Sequence, residues 1–68
     1  MLSARNQFKG KVKSVKLGSV MAEVVIEAQN IELVSVITRE SAERMGLAPG
    51  KEVTAVIKST EVLVSDNL

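Results

Sequence analysis

The apolar residues Phe8, Val12 and Val15 are separated by lysines, with Gly10 among them, and this spacing suits an extended strand over 8–16 better than a helix. Leu17, Gly18 and Ser19 supply turn residues. Val20 to Ala28 is then rich in β-branched side chains and carries Glu23 and Glu27 in alternate positions, which predicts a second strand. Gln29 and Asn30 interrupt the run, and Ile31 to Ile37 resumes it as a third strand, antiparallel to the second through a tight hairpin. From Thr38 to Met45 the period changes to that of a short helix: Thr38 caps it, Glu40 suits its first turn, Ala42 and Met45 form one apolar stripe, and Gly46 ends it. Ala48, Pro49 and Gly50 make a turn with proline early and glycine late. Lys51 to Ile57 predicts a fourth strand and Glu61 to Val64 a short fifth. The order βββαββ is that of a five-stranded OB-like barrel, an all-β fold with one short helix.

Several strands do not alternate cleanly. Val24-Val25-Ile26, Val36-Ile37 and Val56-Ile57 put apolar side chains on both faces of the sheet, because successive side chains point to opposite sides. One face fills the barrel, and the other would be an exposed apolar patch unless a second copy covered it. The alternative is a bulge or barrel corner at which the face assignment shifts.

The 68 residues give room for one domain, 1–68. A domain of this size buries only about 60% of the surface its unfolded chain exposes. With no cysteine and no histidine, neither a disulfide nor an imidazole or thiolate zinc site can reinforce it. Oligomerisation is the remaining remedy.

Nine Lys and Arg against eight Asp and Glu leave a net charge of +1, far from the one-sign excess of a protein that coats nucleic acid. Phe8 is the only aromatic residue, so a platform for stacking single-stranded bases is lacking. No segment is apolar and long enough for a signal sequence or a bilayer span, and a soluble, cytoplasmic protein without nucleic-acid or membrane partners is expected. Catalytic candidates are absent too: there is no His or Cys, no phosphate-binding glycine loop and no convincing carboxylate pair. A purely structural, partner-binding module stays open as an alternative.

Three polar clusters interrupt the apolar pattern: Ser3-Ala4-Arg5-Asn6 before the first strand, Thr38 to Ser41 at the helix start, and Lys58-Ser59-Thr60 after the fourth strand. Arg5 offers a planar fork and Lys58 a compact charge. The hydroxyls of Ser3, Thr38, Ser41, Ser59 and Thr60 rotate to donate, and the helix start adds backbone N–H groups. Taken alone, each cluster reads better as a tail, a cap or a solvated turn than as a binding site.

Ser3-Ala4-Arg5-Asn6-Gln7 followed by Gly10 and Val12 resembles the opening of Mop domains, and Lys58-Ser59-Thr60 followed by Val62 resembles their closing segment. Between them, Gly18 to Val24 is similar to the family's second-strand start, Ile37 to Leu47 to its helix, and Pro49 to Val53 to the turn that follows. The single-domain length points to the molbindins within that family. The resemblance implies a homohexamer of OB-like barrels, built as a trimer of dimers, that stores and buffers molybdate or tungstate at its subunit interfaces. Ser3, Arg5, Lys58 and Ser59 would come from one subunit and Thr38 and Ser41 from its neighbour, with Ala4, Asn6 and Thr60 beside them. It also implies a second kind of oxyanion site on the threefold axis, for which the turn Gly18, Ser19 and Val20 is the expected lining. Such a ligand suits the chemistry, because a fully deprotonated tetrahedral dianion wants donors at every oxygen and an acceptor at none.

Overall fold

The second strand shows how the sequence builds the sheet. Ala22, Val24, Ile26 and Ala28 are buried on one face, while Met21, Glu23 and Glu27 stand outward and Val25 is half-buried. A period of two with small and β-branched residues inward is a strand packed on one side. In the computed structural model, which describes residues 4–67, the elements are β1 (Asn6–Leu17), β2 (Met21–Ala28), β3 (Ile31–Thr38), α1 (Arg39–Arg44) and β4 (Glu52–Ile57), followed by a 3₁₀ turn at Ser59–Glu61. The strands form one antiparallel sheet in the order β3-β2-β1-β4.

β1 is the spine of this sheet. Its first half, Asn6 to Lys11, pairs with β4, and its second half, Lys11 to Leu17, pairs with β2. Two features let one strand serve both. At Gly10, an added Cβ would lie 2.1 Å from the Glu27 carbonyl oxygen, so only glycine lets β2 approach there. Two residues on, the register steps from Val12↔Ile26 to Ser14↔Val25, leaving Lys13 as the extra residue of a bulge. The bulge explains the uneven spacing of Phe8, Val12 and Val15: inward positions are even-numbered before it and odd-numbered after it. Lys13, turned outward, pairs with Glu32 of β3, and this hydrogen bond, followed by the Glu32 charge, raises its pKa above the ordinary lysine value.

The connections follow their residues. Gln29 and Asn30 both have positive φ (51° and 67°), the two-residue turn whose twist matches the strands it joins. Thr38 is extended and its hydroxyl accepts from the Ser41 N–H at 3.1 Å, capping α1. At the other end Gly46, with φ 64°, donates its N–H to the Glu43 carbonyl at 3.0 Å, and the Lys51 ammonium caps the Met45 carbonyl. Ala42 is the one residue of α1 that is fully buried.

The core is small: Val12, Val24, Ile26 and Ala55, with Phe8, Val15, Leu33, Ile37, Leu47 and Val53 packed around them. The mostly-β fold with one short helix is as expected. The fifth strand is not: among the described residues, 62–67 pair with no strand, and the sheet does not close. The cause is local, since the 3₁₀ turn at Ser59–Glu61 redirects the chain after β4, leaving Leu63 93% and Val64 94% exposed. β3 and β4 are therefore free edges of the sheet. Between them lies an apolar cavity of about 530 Å³ lined by core residues such as Val24, Leu33, Ile37 and Ile57, with Lys58 and Glu61 also lining it.

Apolar residues also stand on the outer face. Val34 and Val36 on β3 and Met21 on β2 are exposed, and the outward Val25 stands opposite Val34 in the ladder. The doubly apolar strands thus do present side chains on both faces, and the bulge accounts only for β1.

Candidate functional site

The β1–β4 ladder brings the first and last polar clusters together. Asn6 stands opposite Ile57, and its side-chain amide donates to the Ile57 carbonyl at 3.3 Å. That pairing puts Arg5, one residue before the ladder, beside Lys58, one residue after it. Arg5 and Lys58 are both exposed, and Ser59 and Thr60 follow in the 3₁₀ turn. Around Arg5 the backbone is fixed: the Gln7 N–H donates to the Arg5 carbonyl at 3.1 Å, and the Gln7 side-chain amide donates to the carbonyl of the half-buried Ala4 at 2.6 Å. The carbonyls of this cluster are thereby occupied, while the Arg5 and Lys58 cations carry no ion pair among the described residues. Ser3 lies outside the described residues.

Thr38 and Ser41 sit elsewhere, at the far end of β3. The pairing of Thr38 with Met21, next to the Leu17–Gly18 end of β1, separates them from Arg5 by the length of that twelve-residue strand. That separation runs along the strand; across the sheet, Ile37, next to Thr38, and Met45 line the same cavity as Lys58. No hydrogen bond among the described residues joins the two ends, and Thr38 and Lys58 line different cavities.

The hydroxyl chemistry at α1 is specific. The Thr38 hydroxyl donates to Ser41 Oγ at 2.8 Å while accepting from the Ser41 N–H, so its one donor is used inside the chain. The Ser41 hydroxyl accepts that proton, and its own proton is free to be donated outward. Of the helix-start N–H groups, that of Arg39 already donates to the Val20 carbonyl at 2.7 Å and that of Ser41 to Thr38. The free-donor supply expected of this helix start is thus smaller than its sequence suggests.

The turn at Gly18, Ser19 and Val20 lies against the same end of α1, with Ser19, Val20, Thr38, Arg39, Glu40, Glu43 and Arg44 lining an open cavity of about 500 Å³. Besides its backbone bond to Val20, Arg39 donates from Nη1 to the Gly18 carbonyl at 3.2 Å and from Nε to Glu43 at 3.4 Å. Arg44 pairs with Glu40 at 3.2 Å. The structure therefore brings together two groups that the sequence kept apart, the 18–20 turn and the Thr38–Ser41 segment. Arg39, the residue that joins them, escaped sequence reasoning. Its only signal was its place directly after a capping threonine.

No helix is long and apolar enough to cross a membrane, and the described residues contain no cluster of acidic, His or Cys side chains able to hold a metal cation. What the surface offers is donors on turns at the two ends of one strand, with Glu40 and Glu43 beside one group and Glu61 beside the other.

Molybdenum-pterin-binding protein 3 of Clostridium pasteurianum is 53% identical over 64 residues, which is 93% of this chain and 94% of that protein. The solved structure of MopII from Clostridium pasteurianum superposes with a TM-score of 0.90 at 47% identity, covering 96% of this chain and 98% of that one. That of a molybdate-binding protein from Sporomusa ovata superposes with a TM-score of 0.92 at 39% identity, covering 97% and 98%. The TOBE domain model matches residues 2–64, and with nearly the whole chain inside that match the protein belongs to the TOBE domain family.

Proposed function

We propose that the chain binds molybdate or tungstate at interfaces between copies of itself and serves the intracellular storage and homeostasis of these oxyanions, without enzymatic activity. One observation carries the reading: the donor clusters stand at opposite ends of β1, each too sparse to enclose an anion alone. A second copy supplies the missing half. Arg5, Lys58, Ser59 and, by motif, Ser3 form one half-shell, flanked by Ala4, Asn6 and Thr60, and Ser41 with Thr38 forms the other. The similarity to a molybdate-binding protein supports the ligand class.

The assembly has its own support. The free edges of β3 and β4, the open apolar cavity between them, and the exposed Val62, Leu63 and Val64 are complementary features that one chain leaves unsatisfied. Unpaired strand edges and exposed apolar residues both favour association. A closed homohexamer, a trimer of dimers, satisfies them in every copy without leaving an open end.

The ligand follows from the donors. Charge-assisted hydrogen bonds contribute about 1.5–3 kcal/mol each, so Arg5 and Lys58 with neutral hydroxyls around them suffice for micromolar or tighter binding after desolvation. A site of donors alone favours a bare dianion over phosphate, which keeps a proton near neutral pH, and a cavity wider than sulfate completes the discrimination. The test is the thermal midpoint of the protein with each anion. Molybdate and tungstate raise it and phosphate leaves it unchanged, because a ligand bound only by the folded assembly stabilises it by mass action. Equal shifts with every tetrahedral anion would reduce the function to generic anion binding.

A further inference from the structure

Gln7 spends its hydrogen bonds on the backbone that carries Arg5. Its side-chain amide donates to the Ala4 carbonyl at 2.6 Å, and its N–H donates to the Arg5 carbonyl at 3.1 Å. The second bond spans two residues and makes a γ-turn centred on Asn6, a bend common at strand ends. Gln7 itself is exposed and stands opposite Val56, so its side-chain bond serves no part of the core. The consequence of the bend is seen in the register. The β1–β4 ladder ends at Asn6↔Ile57, and one further pair would set Arg5 directly against Lys58. Like charges directly opposite each other on a sheet, with Cβ atoms about 4.5–5.5 Å apart, are destabilising. With its carbonyl turned back to Gln7, Arg5 lies outside the ladder, and Lys58 leads instead into the 3₁₀ turn.

We infer that Gln7 is a positioning residue for oxyanion capture: by holding the Ala4 and Arg5 carbonyls it stops the ladder at Asn6 and fixes the backbone of Arg5 beside Lys58 rather than against it. The inference rests on the oxyanion reading above and deepens it by naming the residue that prepares the Arg5 half of the site. Charge alone does not prepare that half, because Glu61 lines the same cavity as Lys58 and opposes a dianion there. The placement of Arg5 therefore decides how well the anion is held. A guanidinium carried on a loose segment loses affinity to the ordering of that segment, and the two bonds from Gln7 order it beforehand. Asn6, at the centre of the bend, holds the other strand through its amide bond to the Ile57 carbonyl at 3.3 Å. The two neighbouring amides thus secure the two chain segments from which the cations extend, Asn6 the one that leads to Lys58 and Gln7 the one that carries Arg5.

The experiment compares Gln7→Met and Lys9→Met with the unaltered protein. Molybdate is the probe in calorimetry, and hydrogen exchange of the residue 7 backbone amide, followed by NMR without anion, reports the bend. Gln7→Met keeps the length of the side chain and removes its donors, with no change of charge. It lowers molybdate affinity by about fivefold, speeds exchange of the residue 7 amide, and leaves the thermal midpoint without anion where it was, because the side chain is exposed. Lys9→Met, which removes a charge two residues on along the exposed face of β1, leaves binding within about twofold and exchange at residue 7 unaltered. Lower affinity with unaltered exchange in Gln7→Met would make Gln7 a direct ligand and overturn the positioning role. Lower affinity with a lowered midpoint would make its part merely structural, and unaltered affinity at any exchange rate would remove it from binding altogether; either overturns the inference. In all three cases binding by the unaltered protein leaves the oxyanion reading standing. Failure of the unaltered protein to bind molybdate would overturn both.

Discussion

Asn6 and Ile57 face each other across the β1–β4 ladder, and the amide of the one donates to the carbonyl of the other at 3.3 Å. Their pairing has a consequence for the cations on either side. It fixes Arg5 and Lys58 as neighbours at one end of the sheet, and neither forms an ion pair among the described residues. Two exposed cations brought together by a backbone register form a local positive patch suited to an anion.

Removing either cation therefore weakens molybdate binding while leaving the sheet intact. Arg5→Ala and Lys58→Ala each lower affinity by at least about tenfold, about 1.4 kcal/mol. Both side chains are exposed, so the thermal midpoint without ligand stays near that of the unaltered protein. Calorimetry with molybdate measures the first effect and a thermal melt the second. Unaltered affinity in both variants removes these residues from the site.

The two hydroxyls at α1 separate in their effects. Thr38→Val removes the helix cap and costs about 1 kcal/mol of stability, because the Ser41 N–H loses its acceptor. Ser41→Ala leaves the cap in place and mainly lowers anion affinity, since the outward proton is the serine's. Denaturant titration and calorimetry on the two variants distinguish the roles.

Leu63 and Val64 give a third prediction. In the single chain they are 93% and 94% exposed, so replacing both with aspartate costs the monomer nothing in packing. If copies of the chain cover them, the same change breaks the assembly and abolishes molybdate binding. Sedimentation velocity of the double variant reads the outcome, and an intact oligomer would exclude this segment from the interface.

Gly10→Ala tests the geometry of the spine. A Cβ placed 2.1 Å from the Glu27 carbonyl oxygen forces β2 away from β1, and the change costs about 3 kcal/mol or more in urea denaturation. A neutral substitution would mean that β1 and β2 separate there more easily than their packing suggests.

Much of the fold was legible in the sequence, and the residues show why. β2, β3, α1 and β4 each carry a strong local signal: β-branched runs, a Thr cap, a glycine just past the helix, and a Pro-Gly turn. The fifth strand failed because Glu61 to Val64 has strand composition but no partner strand among the described residues, and pairing is not a local property. The bulge at Lys13 was unreadable in position because nothing in a lysine-rich strand marks which lysine is the extra one. Of the candidate site, the donor types were visible from composition and the resemblance supplied their grouping. Spacing could not show that the 18–20 turn and Thr38–Ser41 share one corner, since Gly18 and Arg39 are brought together only by the β2–β3 hairpin between them.

On the proposed function, copies of this chain enclose a tetrahedral dianion between donor clusters that lie at opposite ends of β1 in each copy. Native mass spectrometry of the protein exchanged into molybdate tests it most directly. The expected result is a closed hexamer whose mass includes molybdate, with the anions lost when the hexamer dissociates. A monomer retaining molybdate, or an oligomer that takes up none, would contradict it.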